Sequence, residues 1–311
     1  MASESPAASP LTSPSGRPRA LPQGAQPPLL LAVEAIIGAG KSTLLEALGE
    51  REDVVVVREP LDLWQQQRGA DGSDGGESLL DRYYGDQKAF AFAMETYSMF
   101  SRVKALRHAR SLVTPRTKAI VMERSWLSSR RCFAENSKEL GHLDALEASL
   151  HDDLFQWGLE SWPRIDGVVF IDLDVGTAQG RVATRGRTAE SSIPSDYQSA
   201  LAAKHREWLD TESGGSDAFT GAVLRLDGNK TLEDGALKAH SRRVVDFIAE
   251  LGAARAGDSA MAAVADGVAQ DLSLEFEGGG EKKTLRSEKE IRDTVRDFFS
   301  QTPASPKAAA V

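Results

Sequence analysis

The sequence of 311 residues is poor in cysteine, in long apolar runs and in net positive charge. Its single cysteine, Cys132, excludes an internal disulfide framework and fits a reducing compartment. No apolar run approaches the ~20 residues that a membrane-spanning helix needs. The formal net charge of −9 gives the chain no general attraction for nucleic acid or an anionic membrane. We therefore expect neither as a partner, and any polyanion must be bound by a local cluster of Arg and Lys.

Both ends of the chain have compositions that disfavour a packed core. Residues 1–27 are largely Pro, Ser, Ala and Gly and predict a disordered extension, although an organelle transit peptide stays open. Residues 252–311 predict a largely disordered tail with one short capped helix over 287–300. The predicted folded domain is 28–251. We expect a cytoplasmic location, or a mitochondrial or plastid one if residues 1–27 act as a transit peptide.

The middle of the chain alternates short apolar runs with helical stretches. The predicted strands are 29–33, 54–57, 119–122, 167–171 and 222–226. The predicted helices, after one that starts near Lys41, are 87–110, 126–137, 143–160, 175–185, 195–210 and 231–251. Alternating strands and helices predict parallel pairing, and so an α/β three-layer sandwich with a five-stranded parallel sheet. The segment 68–76 is rich in Gly and Asp and predicts a loop.

The first predicted strand leads into a loop that ends in Gly-Lys-Ser and then into a helix. In a phosphate-binding loop, or P-loop, successive backbone N–H groups and the helix N-terminus surround phosphate oxygens. Lys41 would reach the β- and γ-phosphates of ATP, and the Ser42 hydroxyl would bind Mg²⁺. The full pattern has a glycine where this chain has Ala35, which predicts a relaxed turn or weaker ATP binding. The predicted ATP-binding residues of the loop are Gly38, Ala39, Gly40, Lys41, Ser42 and Thr43.

Charged motifs follow the later strands. Glu59 comes after the second strand, and Glu123-Arg124-Ser125 follows the third. Because the carboxyl ends of parallel strands meet at the ligand-binding edge of such a sheet, we expect these side chains in the cleft. Three arginines within seven residues of an acidic protein also predict an anionic partner. They are Arg181, Arg185 and Arg187.

In their order, these motifs resemble the deoxyribonucleoside kinase family, which includes deoxycytidine, deoxyguanosine and mitochondrial thymidine kinases. The resemblance runs from about Leu29 to Ile248. It implies a P-loop kinase fold with an arginine-rich lid. It also implies transfer of the ATP γ-phosphoryl group, with Mg²⁺, to the 5′-hydroxyl of a deoxynucleoside in nucleotide salvage, and it implies a homodimer.

The resemblance further implies a role for each matching residue. Glu59 matches the general base, and Ser42 and Glu123 match the Mg²⁺ ligands. The residues implied to balance the charge of the transferred group are Lys41, Arg124, Arg185 and Arg187. Those implied to hold the rest of ATP are Arg181, Asp227, Gly228 and Asn229. Those implied to bind the nucleoside are Trp64, Leu80, Tyr84, Met94, Glu95, Arg102, Ser129, Phe133 and Glu190.

At the base-reading position the sequence departs from the family. The family's glutamine is Glu95 here, and Ser129 stands where its purine- and cytosine-preferring members have an aspartate. An ionised carboxylate only accepts hydrogen bonds, whereas the guanidinium of Arg102 only donates them. Guanine offers the complement of both, so we hypothesise a preference for deoxyguanosine. The alternative is that Glu95 and Arg102, on one helix face, simply pair with each other.

Two other functions are compatible with the loop. A thymidylate-kinase-like nucleoside monophosphate kinase would share the fold, but it needs extra cations for the phosphate of its substrate. The second is a catalytically weakened nucleotide-binding regulatory protein, in which Ala35 would be a first change that accompanies loss of activity. Against the second alternative, the chain keeps Lys41, Glu59, Glu123, Arg124 and Arg187 together.

Overall fold

The computed structural model describes residues 26–66, 76–185, 193–211, 219–230, 234–271, 276–278 and 281–283. It divides into two units, the first ending at Ala249 and the second beginning at Glu250. The predicted extension up to residue 25, nearly all of the predicted loop at 68–76 and the predicted helix over 287–300 lie outside the described residues.

A five-stranded parallel sheet forms the centre of the first unit. Its strands are β1 (Leu29–Glu34), β2 (Val54–Val57), β3 (Ala119–Glu123), β4 (Gly167–Asp172) and β5 (Val223–Asp227). Their order is β2-β3-β1-β4-β5, and every pairing is parallel. All six residues of the central strand β1 are buried, as expected for a strand covered on both faces. The predicted α/β fold with a five-stranded parallel sheet flanked by helices is confirmed, and the arginine-rich lid stays a prediction.

Helices flank this sheet. They are α1 (Lys41–Gly49), α2 (Leu61–Gln65), α3 (Leu79–Gly85), α4 (Gln87–Ala109), α5 (Trp126–Ser128), α6 (Glu135–Glu139), α7 (Ala145–Leu159), α8 (Val175–Arg185) and α9 (Ser195–Thr211). A further helix, α10 (Asp234–Asp271), begins in the first unit and ends in the second. The sequence did not predict α2 and α3, because five and seven residues are too few to show a helical period. Among the described residues, no helix is long and apolar enough to cross a bilayer.

The predicted helix over 126–137 is interrupted. A π-helical stretch, Ser129–Ala134, separates α5 from α6. Single π turns of this kind occur often at functional sites, where they redirect side chains. Two side chains of this stretch face functional groups: Ser129 contacts Arg102, and Phe133 lines the cavity described in the next section.

The last helix is longer than predicted. α10 ends at Asp271 rather than near residue 251, so the predicted lack of structure does not hold over 252–271. That stretch is rich in alanine, the strongest helix former, which explains the extension. The second unit also contains a short antiparallel pair, β6 (Phe276–Gly278) and β7 (Glu281–Lys283).

A small apolar cluster supports the region between α2, α3 and α4. Its buried members are Trp64, Leu80, Tyr83, Ala91, Met94, Ala134 and Leu143. Because several of these side chains also line a cavity at one end of the sheet, the cluster forms one wall of the site described next.

Candidate active site

A cavity of about 510 Å³ opens at the carboxyl ends of β1, β2 and β3. This is the edge at which open α/β sheets bind ligands, and the volume suits a small-molecule site. The predicted site residues that line it are Gly38, Ala39, Gly40, Lys41, Ser42, Thr43, Glu59, Trp64, Leu80, Tyr84, Met94, Glu95, Arg102, Glu123, Arg124, Phe133, Arg181 and Arg185. The phosphate loop and the predicted nucleoside residues therefore share one continuous space.

The loop after β1 has the backbone that a phosphate cradle requires. Gly38 and Gly40 have φ values of 90° and 87°, in the left-handed region that favours glycine. A β-carbon on Gly38 would lie 2.4 Å from the carbonyl oxygen of Ala178, so α8 packs directly against the loop. Lys41 begins α1, and its Nζ donates to the Ile36 carbonyl at 3.3 Å.

Ala35 does not strain this loop, contrary to the concern raised by its sequence. Among the described residues, the only non-glycine residue with a positive φ is Arg124, so Ala35 occupies an ordinary conformation. Its side chain is fully buried, and its carbonyl accepts a hydrogen bond from Arg124 Nη1 at 2.5 Å. The position needs a small residue and a fixed carbonyl, and alanine supplies both.

The charged groups at the phosphate end are arranged for an anion and a hard cation. Burial, together with the positive charge of neighbouring Arg124, lowers the pKa of Lys41 to about 7, so bound phosphate would favour the charged form. The Ser42 hydroxyl donates to Glu123 Oε1 at 3.0 Å. Within the described chain, no group of three or more His, Cys, Asp or Glu could hold a metal by itself. Ser42 and Glu123 instead fit Mg²⁺ bound mainly through nucleotide phosphates.

Glu59 lies between two buried arginines. Arg102 donates to Glu59 Oε1, and Arg124 Nε lies 3.3 Å from the same oxygen. Burial alone would raise the pKa of Glu59, but the positive charges of Arg102 and Arg124 outweigh it and hold that pKa below its usual value. Glu59 is therefore ionised at neutral pH and presents a carboxylate to the cavity.

Arg124 is itself held in an unusual conformation. Its φ of 60° costs about 1–2 kcal/mol for a residue with a β-carbon. Its guanidinium lies 4.7 Å from the centre of the Phe133 ring, a cation–π contact. Strained residues of this kind persist where the surrounding contacts determine them, and they concentrate at active sites.

The far end of the cavity presents a buried carboxyl group and an arginine that do not pair. Glu95 accepts from Ser137 Oγ at 2.9 Å, whereas Arg102 contacts Ser98, Ser129 and Glu59. The alternative of a simple Glu95–Arg102 pair is therefore wrong, because the arginine reaches toward the end of β2. Burial raises the pKa of Glu95 to about 7.

Aromatic side chains form the walls between the two ends. The guanidinium of Arg102 lies 5.0 Å from the centre of the Trp64 ring, and Trp64 Nε1 donates to Ser101 Oγ at 2.9 Å. Burial raises the pKa of Tyr84, so its hydroxyl stays protonated and can donate a hydrogen bond. Trp64 and Tyr84, with Phe133, give the cavity apolar walls that suit a flat ring.

Some predicted residues lie elsewhere. Ser129 does not line the cavity; its hydroxyl donates to the Ser125 carbonyl at 3.2 Å and accepts a hydrogen bond from Arg102 Nη1 at 2.6 Å. The predicted adenine residues line a separate cavity of about 320 Å³, and they are Asp227 and Asn229, with Gly228 between them. Arg181 contacts both regions, donating to the carbonyls of Ala39 and Lys230. Arg187 and Glu190 lie outside the described residues.

The sequence analysis missed several residues of the site. Gln198 on α9 accepts from the Ile37 N–H at 3.2 Å and donates to the Ile37 carbonyl at 2.9 Å. No local pattern marks Gln198, since it is one polar position on a helix. Glu34 is a charged residue at the end of an apolar strand, a pattern that could have marked it; it contacts Ser125 beside Arg124 and does not line the cavity. The unpredicted residues that line the cavity are Ile37, Leu61, Tyr83, Ser98 and Tyr197.

Comparison with known proteins agrees with this geometry. A family model described as deoxynucleoside kinase matches residues 31–251. The chain belongs to the deoxynucleoside kinase family. It is accordingly a phosphotransferase that acts on an alcohol group, binding a nucleoside together with ATP as the phosphate donor.

Individual relatives are similar over most of this region. A probable deoxycytidine kinase of fowlpox virus is 28% identical over 224 residues, which are 71% of this chain and 88% of that protein. Deoxycytidine kinase 1 of Xenopus laevis is 27% identical over 240 residues, covering 71% and 91% respectively. Mitochondrial thymidine kinase 2 of Homo sapiens is 29% identical over 181 residues, covering 58% and 64%.

The loop geometry predicts that two substitutions three residues apart affect ATP binding differently. Ala35→Gly should leave the ATP dissociation constant unchanged and lower the free energy of unfolding by about 0.5–1 kcal/mol, because no strain is relieved and chain entropy rises. Gly38→Ala should weaken ATP binding at least tenfold, because of its φ and the contact with Ala178. Titration calorimetry with ATP and urea unfolding measure both. Tighter ATP binding by Ala35→Gly would instead show that alanine at this position weakens ATP binding.

Proposed function

We propose that Glu59 receives the proton of the nucleoside 5′-hydroxyl as this oxygen attacks the γ-phosphorus of ATP. The observation that carries the proposal is an ionised, partly shielded carboxylate in the same cavity as Lys41 and the phosphate loop. Its low pKa makes Glu59 a weak base. That suffices, because phosphoryl transfer depends mostly on positioning and charge, and the attacking oxygen needs little activation.

The cations of the cavity balance the charge of the transferred group in this proposal. They are Lys41, Arg124 and Arg185, with Arg187 as a further prediction outside the described residues. Ser42 and Glu123 would hold Mg²⁺, which neutralises phosphate charge when bound. Fixed cations of this kind stabilise a transition state without reorganising, because the fold has already ordered them.

The nucleoside would occupy the apolar end of the cavity. Trp64, Leu80 and Met94 provide one wall, and Tyr84 offers a hydroxyl for the sugar. Glu190, predicted to share the sugar contact, stays a prediction. A nucleoside monophosphate kinase would need additional cations at this end, and Arg102, the arginine found here, already binds Glu59. The family match and the intact charged set also disfavour a weakened regulatory protein.

Removal of the Glu59 carboxylate tests the role proposed for it. Glu59→Ala should reduce kcat by about 10²–10⁴-fold while ATP binding changes little, because the proton acceptor is lost and the phosphate loop is kept. Asp62→Ala, which removes an exposed carboxylate three residues away, is the matched control. Transfer of radiolabelled phosphate to a mixture of deoxynucleosides and thymidylate measures the effect. Unchanged turnover in Glu59→Ala removes Glu59 from the role, and faster labelling of thymidylate favours the monophosphate kinase.

We propose further that the base-reading end prefers deoxyguanosine when Glu95 is ionised. Glu95 and Arg102 do not neutralise each other, and Arg102 Nε has no hydrogen-bond partner within the described residues. The carboxylate could accept from N1–H and N2–H of guanine. The polar and titratable groups that face Glu95 are Ser137, Tyr83, Tyr84, Tyr197 and Arg102. Protonated Glu95 would instead offer one donor and one acceptor, which suits other bases.

The proposed base preference predicts a dependence on pH with a definite sign. Because burial raises the pKa of Glu95 to about 7, the carboxylate form is lost below that pH and dominates above it. The ratio of kcat/KM for deoxyguanosine to that for thymidine should rise severalfold between pH 6 and pH 8. Glu95→Gln should abolish this rise, because an amide does not titrate. Faster turnover of thymidine than of deoxyguanosine at pH 8 would overturn the preference.

We propose that the protein forms a homodimer through α7. Leu146, Leu150 and Trp157 are 67%, 44% and 61% exposed and lie on one face of this helix. Phe100 of α4 adjoins them, with its ring centre 6.5 Å from that of Trp157. A continuous apolar face of this kind on two neighbouring helices is typical of an interface. A second copy is the occupant that the family resemblance implies.

Substitution on this face tests the dimer. Trp157→Glu should shift the protein from dimer to monomer, because it places a charge in the centre of the apolar face. Leu112→Glu, at an exposed leucine outside α7, should leave the mass unchanged. Size-exclusion chromatography with light scattering measures the mass. A monomeric wild-type protein, or a Trp157→Glu variant that stays dimeric, would contradict the proposal.

The location of the protein stays a prediction. We propose the cytoplasm, with a mitochondrion or plastid as the alternative if residues 1–27 direct import. The buried free thiol of Cys132 is compatible with either. We also propose that residues 28–251 form the kinase domain and that the enzyme takes part in the salvage of deoxynucleosides.

A further inference from the structure

The end of β1 makes an unusual set of contacts with the residues that follow β3. The Val33 carbonyl accepts from the Arg124 N–H at 3.0 Å, and the Ala35 carbonyl accepts from the Arg124 guanidinium at 2.5 Å. Between them, Glu34 Oε1 accepts from both the N–H and the Oγ of Ser125, at 2.8 and 2.6 Å. Three consecutive residues thus hold Arg124 and Ser125 from one side.

We propose that Glu34 is a positioning residue: by binding Ser125, it keeps Arg124 in its left-handed backbone conformation and so aims the guanidinium at the reacting phosphoryl group. Glu34 does not line the cavity and touches no substrate in this proposal. Its effect reaches the reaction through Arg124, so the inference rests on the role proposed above for that arginine.

The conformation of Arg124 explains why such a support is needed. A φ of 60° is unfavourable for arginine, and an unrestrained chain would leave it. The Val33 contact restrains the residue from its N–H side, and Glu34 restrains the next residue from both its N–H and its hydroxyl. Without Glu34, rotation of the backbone after Arg124 would move the guanidinium away from Glu59 and from the Phe133 ring.

The surroundings of Glu34 indicate that it acts as a neutral acid. Both Glu34 and His205 are fully buried, and their Oε2 and Nε2 atoms face each other at 4.0 Å with no hydrogen-bond partner among the described residues. His205 Nδ1 lies 2.8 Å from the Leu201 carbonyl and must carry the ring hydrogen, which leaves Nε2 bare. Two bare acceptors would repel each other. A hydrogen on Glu34 Oε2 removes the conflict.

The pKa values of the two groups agree with this assignment. Burial raises the pKa of Glu34 and lowers that of His205 to about 3, so both groups favour their neutral forms. A glutamine at position 34 would reproduce this state. Its oxygen could accept from Ser125, and its amide N–H could point at His205 as the acid hydrogen does.

Two substitutions at position 34 separate positioning from charge. Glu34→Ala should lower kcat by about 10–100-fold with KM values for ATP and nucleoside within threefold, because misplacement of a fixed group by about 1 Å is enough for such a loss. Glu34→Gln should stay within threefold of wild type. Steady-state kinetics and ATP calorimetry measure both variants. An unchanged kcat in Glu34→Ala, or a Glu34→Gln variant as impaired as Glu34→Ala, would overturn the inference.

A double-mutant cycle tests whether the effect passes through Arg124. In an Arg124→Lys background, Glu34→Ala should change kcat by less than threefold, because the group that it positions is already gone. The same loss in both backgrounds would show a general structural role and overturn the inference. If Glu34→Ala does not fold, Ser125→Ala takes its place. It removes one of the two bonds and should cost about 3–10-fold in kcat only when Arg124 is present; an equal cost in both backgrounds overturns the inference.

The same cycle distinguishes this inference from the proposal on which it rests. If Arg124→Lys itself leaves kcat unchanged, the role proposed for Arg124 fails, and the inference fails with it. If Arg124→Lys is impaired and Glu34→Ala is not, only the inference fails. Thermal unfolding of all variants shows whether any loss of kcat follows loss of folded protein.

Discussion

The site depends on one carboxylate held between two buried arginines. Glu59 follows β2, Arg124 follows β3, and Arg102 projects from α4, so this group of charges joins three elements. Each charge is tolerable in the interior only because of the others, and removing one partner of such a group costs about 3–5 kcal/mol. The arrangement therefore fixes the end of β2 relative to the end of β3 and to α4 inside the cavity.

The sheet places these charges through its register. Val33 of β1 lies opposite Glu123 of β3, so the next residues, Glu34 and Arg124, also come together. The same pairing brings Ser42, at the start of α1, to Glu123. One parallel pairing thus aligns the phosphate loop, the oxygen ligands suited to Mg²⁺ and the strained arginine. A parallel sheet provides this because the loops after neighbouring strands emerge at the same edge.

The other end of the cavity, where we propose that the nucleoside binds, is held together by apolar packing rather than by paired charges. It is built from side chains of α2, α3 and α4 and from the π-helical stretch, on an apolar cluster of its own. Few charges face this end of the cavity: Glu95 is buried and accepts from the Ser137 hydroxyl, and Arg102 is paired with Glu59. Selection among bases can therefore vary through a few side chains on α4 without disturbing the phosphate end.

The sequence by itself determined the five strands, the phosphate loop and the order of the charged motifs, because apolar runs and strand-end residues are local signals. It could not show the interruption of the helix over 126–137, the length of α10, or the ordinary backbone of Ala35. Only the tertiary structure decided which polar groups meet: Arg102 binds Glu59 rather than Glu95, Glu34 binds Ser125, and Gln198 binds the loop after β1 at Ile37. These choices depend on which side chains meet across the sheet, and distance along the chain carries no information about that.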